Sequence, residues 1–162
     1  MRWSYDKCAE YLSRVAALIE RFGAALDQPE GTDLELLEAD DGTLSFEITC
    51  ILPDGNHPAL TRLVIREGFR PISPDLYERS RYEYELVDRA RDFRRAFHLH
   101  FPEWFGRRFL VVVHEHCERP IGLIACEHYA GRPIEDAFAG VTTLMDAWTA
   151  EPPNCAALTC LE

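Results

Sequence analysis

From residue 43 to residue 117 the chain keeps returning to a two-residue rhythm. Leu44, Phe46, Ile48 and Cys50 alternate with Ser45, Glu47 and Thr49, and Leu63 and Ile65 alternate with Arg62 and Arg66. Tyr82, Tyr84 and Leu86 then alternate with Arg81, Glu83 and Glu85. Successive strand side chains point to opposite faces, so this pattern predicts strands with one buried face. Residues 33 to 38 add Leu34 and Leu36 on one side, and "FRRAFHLHF" and "RRFLVVVHEHC" continue the series around "PEWFG". "DDGT" and "PDGNHP" read as turns, and "GFRPISPDLYERS" as a longer, proline-marked connection.

Helical rhythm occurs at the two ends. Tyr5, Cys8, Leu12, Val15, Ile19, Phe22 and Leu26 step by three and four, which predicts an amphipathic helix over about residues 4 to 26 with Ser4 as its N-cap. Ile134, Phe138, Val141, Met145 and Trp148 predict a second helix from 133 to 149, with Pro133 at its first position. Strands in one consecutive run favour an antiparallel meander. The expected fold is therefore α+β: one domain over 1–162, with about six strands and both helices on one face of the sheet. A chain of 162 residues buries roughly two-thirds of its unfolded surface and needs neither metal nor disulfide merely to fold.

"MRWSYDKCAEYLSRV" lacks a continuous apolar core, and no apolar run approaches the roughly 20 residues of a membrane span. These features predict a cytoplasmic chain with reduced cysteines, no membrane partner, and cysteines that serve as ligands or as small buried hydrophobes. The net charge of −11 opposes DNA binding by the surface as a whole. Lys7 is the one lysine, and Arg89, Arg91, Arg94, Arg95, Arg107 and Arg108 crowd one region. Arginine forks grip carboxylate or phosphate with two donors. A solvated arginine-rich hairpin is the plainer account of that cluster.

Chemistry concentrates in two His-x-His pairs. Alternation places His98 and His100 on one strand face, and His114 and His116 on one face of the next strand. A simple hairpin turning near Gly106 pairs residue 98 with 110 or 111, which leaves His114 about 10 to 13 Å away. The four imidazoles then line a groove without sharing one metal. A zinc site draws instead on His114, His116, Cys117, Cys126 and His128, since thiolate and imidazole suit zinc. That spacing matches no standard knuckle, so zinc is less expected than packed cysteines, and the cofactor stays open. Cys155 and Cys160 read as packing in the tail or late ligands, and His57 as a turn residue.

"LTRLVIREGFRP", "SRYEYELVD", "FRRAFHLH", the second histidine pair and the closing helix resemble the TumE-like family of small toxin–antitoxin proteins. The resemblance touches Tyr82, Tyr84, Arg95, His98, His100, His114 and His116, and implies an RNA substrate and an antitoxin-like protein partner. Read from the residues as a histidine-and-arginine groove that cleaves RNA by acid–base chemistry, the chain has His98 and His114 exchanging protons, Arg95 and Arg108 holding phosphate, and Tyr84 contacting a base or ribose. His100 and His116 complete the groove. Two other readings stand beside it: a non-enzymatic binding or accessory module with a structural His/Cys segment, and a metal-dependent hydrolase using both His-x-His strands.

Overall fold

The computed structural model describes residues 2–27, 34–53, 61–100 and 113–161. Among them run β1 (Arg2–Trp3), α1 (Tyr5–Arg21), β2 (Ala25–Leu26), β3 (Leu37–Glu38), β4 (Leu44–Ile51) and β5 (Thr61–Ser73). β6 (Leu76–Asp88), β7 (Phe93–Leu99), β8 (Val113–Glu118), β9 (Tyr129–Ala130) and α2 (Ala137–Thr149) follow, then a short 3-10 turn at Cys155–Ala157. The fold is α+β. Its antiparallel sheet runs β2-β4-β5-β6-β7-β8-β9, with β1 paired to β6 and β3 to β4. Among the described residues the sheet thus holds nine strands where the alternation predicts about six, because two-residue strands are too short to leave a periodic signal.

The proline-marked stretch is the main correction to the strand plan. β5 and β6 form one long hairpin through it, with register breaks at Gly68/Phe69 and Pro71/Ser73. Bulges absorb the proline's missing donor, and Asp75 takes the positive φ of 56° at the turn.

Ser4 caps α1 as expected, its hydroxyl accepting from the Lys7 amide. The helix stops at Arg21, short of Leu26, because Gly23 enters the left-handed region at φ 69°. α2 begins later than the sequence suggests. Asp136 is its N-cap, accepting from the Ala139 amide at 2.9 Å, so Pro133 lies outside the helix.

One sheet face carries Ile48, Ile65, Tyr84, Phe97, Glu115 and Tyr129 in register across neighbouring strands. Both helices meet this face. Tyr11 of α1 packs edge-on to Phe69 and reaches Glu67 of β5. A Cβ on Gly140 of α2 would come within 2.3 Å of the Tyr84 ring, so glycine sets the closest approach of helix to sheet. Beneath the helices lies a polar knot. Glu67 Oε1 accepts from Tyr11 at 2.9 Å, from Arg79 at 3.2 Å and from the Tyr84 hydroxyl. Arg79 also donates to the carbonyls of Ile134 and Glu135, and Tyr11 and Tyr82 accept from the amides of Ala137 and Ile134. The knot fastens the entry to α2 onto the sheet.

Among the described residues, no helix is long and apolar enough to cross a membrane.

Candidate functional site

Among the described residues, no helix lies over the opposite sheet face. Cross-strand pairing builds a row there from Glu47 to Arg66, Glu83, His98, His114 and Ala130. The pairing of His98 with His114 corrects the hairpin expectation. The pairs 98–114 and 99–113 are both centred on position 106, so a turn about that position calls for this register and not for an offset of 98 against 110 or 111. The two histidines then sit directly opposite one another instead of three residues apart.

The rings converge. His98 Nδ1 lies 3.3 Å from His114 Nε2, which lies 3.1 Å from His116 Nε2. One ligand nitrogen from each of these three residues falls within 4.8 Å of the other two. The His100 ring lies 5.3 Å from that of His98 and 5.1 Å from that of His114. His128 arrives from the segment before β9, its ring 4.6 Å from His114 and 5.1 Å from His116. Five of the six histidines therefore share one site.

Burial sets the protonation state. It pushes His98 down to about 2, His114 to about 3 and His116 to about 4, and the neighbouring imidazoles add to the effect in each case. His100 is lowered too, by burial first and then by His128 and Arg81. These four rings are neutral at neutral pH and can offer nitrogen lone pairs. Carboxylates on this face are already held by arginine. Arg66 donates to Glu47 at 2.9 Å and to Glu83 at 2.8 Å, while Arg94 bridges Glu85 and Glu118.

Two nitrogens bound to one tetrahedral zinc at 2.0–2.1 Å lie about 3.3 Å apart. The separations of 3.3 and 3.1 Å fit that requirement for two of the three pairs, and the third closes within 4.8 Å, so His98, His114 and His116 form a candidate set for a single metal ion. An all-imidazole set favours zinc, copper or nickel over magnesium or calcium.

Other expected site residues lie elsewhere. Arg95 is on the helix-covered face, donating to Glu115 at 2.8 Å and lying over the Phe97 ring. Tyr84 is fully buried in the Glu67 knot. Both are set apart from His98 by strand parity: 95 and 117 face the helices, whereas 94, 98, 114 and 116 face away. The same parity marks Arg94 as the arginine of the histidine face, a residue the sequence reading passed over as a site member. Arg107, Arg108 and His57 lie outside the described residues.

Cys117 and Cys126 are not ligands. They form disulfides with Cys155 and Cys160 respectively, which leaves them no thiolate for a metal and overturns the expectation of reduced cysteines. Cys8 and Cys50 are free and buried in the core, as small hydrophobes. The bridges hold the tail on the sheet beside the histidines. Ala130 donates to the Thr159 carbonyl at 2.7 Å, and Leu161 to that of His128 at 2.9 Å. By chain-entropy reasoning, closing loops with separations of 38 and 34 residues contributes about 4 kcal/mol per bridge.

No family model, curated protein or solved structure matches this chain.

Proposed function

We propose that the chain is a metal-dependent hydrolase built on an imidazole centre. The observation that carries the reading is the convergence of His98 Nδ1, His114 Nε2 and His116 Nε2 at separations suited to one ion. His98, His114 and His116 would hold the metal, which when bound would supply an activated nucleophile near neutral pH. Strands β7 and β8 fix the two facing ligands, and the low proton affinity of all three rings lets them bind without first shedding protons.

His128 favours a second reading, a closed structural metal site in a binding module. Its ring lies 4.6 Å from that of His114, beside the three converging nitrogens and not among them, so a turn of the His128 side chain would be needed to make it a fourth ligand. The ribonuclease reading draws less support, since Arg95 and Tyr84 do not share the histidines' face. The TumE-like resemblance and an antitoxin-like partner rest on sequence motifs alone. A cytoplasmic setting asks both disulfides to withstand the glutathione pool, whereas an oxidising compartment makes no such demand.

Elemental analysis after loading with zinc, cobalt or nickel and desalting tests the centre. One ion per chain is expected in the wild type, and none in a His98→Ala, His114→Ala variant. Absence of stoichiometric metal from the wild type would end the proposal. The cobalt spectrum then separates the two readings: an open site responds to added anions, and a closed four-ligand site does not.

A further inference from the structure

The face opposite the helices holds a groove of about 290 Å³ beside the histidines, lined in part by Ser45, Glu47, Arg66, Arg81, Glu83 and His100. At one end stands His100, whose ring stacks on His114 at 5.1 Å. Gly68 lies between two of the lining residues on neighbouring strands, paired with Ser45 on one side and Arg81 on the other. A Cβ at position 68 would come within 2.5 Å of Arg81 Nε and 2.7 Å of its Cγ. Arg81 thus lies across β5, over the one residue that has no side chain to obstruct it.

The two arginines of the groove differ in their partners. Arg66 is held between Glu47 and Glu83. Arg81 is exposed and has no acidic partner among the described residues. On a chain of net charge −11, long-range repulsion disfavours anions, so an anionic ligand needs a local cation to receive it. An uncommitted guanidinium fork is the side chain best shaped to receive a carboxylate or phosphate. The groove volume is close to the lower end of small-molecule sites, about 300 Å³.

We propose that Arg81 docks a carboxylate or phosphate group of a small-molecule substrate, holding it in the Gly68 groove beside the histidine centre. The inference rests on the metal-hydrolase reading and names its substrate class: a small anionic molecule whose reacting bond lies toward His100 and His114. Arg81 is then a specificity-determining residue, distinct from the metal ligands.

Calorimetric titration of the zinc-loaded protein with inorganic phosphate, and separately with succinate, tests this and tells the two anion sources apart. One of the two is expected to bind the wild type and to bind Arg81→Ala about tenfold or more weakly, the loss of a charge-assisted contact. Zinc content should be equal in both proteins. Gly68→Ala, which displaces the Arg81 side chain, should weaken the same anion, and Arg81→Lys should restore part of the affinity. Equal anion affinity in wild type and Arg81→Ala, or no binding of either anion to the zinc-loaded wild type, overturns the proposal. Failure of zinc to load counts against the metal centre instead. In that case the same titrations on the metal-free protein judge Arg81 separately, by the same criterion.

Discussion

The two faces of the sheet each hold a buried polar cluster, and the two are built on opposite principles. Under the helices, Glu67 is surrounded by Arg79, Tyr11 and Tyr84, so an acceptor is met by donors and a negative charge by a positive one. On the opposite face, neutral rings of one kind turn nitrogen toward nitrogen. The first arrangement gives Glu67 Oε1 three donors and leaves only Oε2 without a partner. The second gains most from a cation between the rings, because buried charged and polar groups are stable only when their partners are present. Partner chemistry thus separates a knot that holds the fold together from a site prepared for a ligand.

The largest expected effect tests the Glu67 cluster. Arg79→Ala leaves a buried carboxylate without its cation and should cost about 3 to 5 kcal/mol in chemical denaturation. Pairing it with Glu67→Gln should recover much of that loss. A cost below about 1 kcal/mol would show that the knot does not hold α2 to the sheet.

The histidine cluster should respond in the other way. His98→Ala together with His114→Ala is expected to weaken zinc binding by more than about 100-fold, with much less effect on the melting temperature of the metal-free protein than Arg79→Ala. An unaltered zinc affinity would remove the distinction between the two faces.

Acid sharpens the contrast. His98, His114 and His116 have folded-state values of about 2, 3 and 4, well below the unfolded value of about 6.5. Between these limits the unfolded chain binds more protons. Stability from this face is therefore complete above about pH 6.5 and is lost progressively as the pH falls through about 4, 3 and 2. Glu67 is raised, by burial first, so its contribution is complete below the unfolded value and is lost as the pH rises through the folded one. Melting curves of the metal-free protein against pH should show an acid limb that flattens in a His98→Asn, His114→Asn variant. An acid limb unchanged by those substitutions would contradict the assignment.

The smallest effect belongs to the exposed ladder beside the histidines. Arg66→Ala should change stability by no more than about 1 kcal/mol, since Arg66 and Glu47 are both substantially solvated. A larger loss would mean that the row from Glu47 to Glu83 braces the histidine cluster.

Much of this arrangement is legible in the sequence, and the omissions have physical causes. Period-two alternation yields β4 to β8, and the three-and-four stripes yield both helices, because burial on one face imposes those periods. Parity likewise brings the two His-x-His pairs to one face. Applied equally to Arg95 and Tyr84, it would have moved both to the helix side. The register of β7 against β8 depends on the position about which their connection is centred, which periodicity does not encode. Disulfide partners are long-range: Cys117 and Cys155 meet only because the tail folds back along β9. Denatured without reductant, the protein should yield two reactive thiols, from Cys8 and Cys50, and six after reduction. Six thiols before reduction would restore the expectation of a fully reduced chain.

The facing of His98 and His114 has a consequence for how the chain finds its native pairing. Slipping β8 by a single position would send His114 and His116 through to the helix side and leave His98 without them. An ion gripped from both strands would thus act as a checksum on their alignment, rewarding the correct match and no near miss across the long span between Leu99 and Val113.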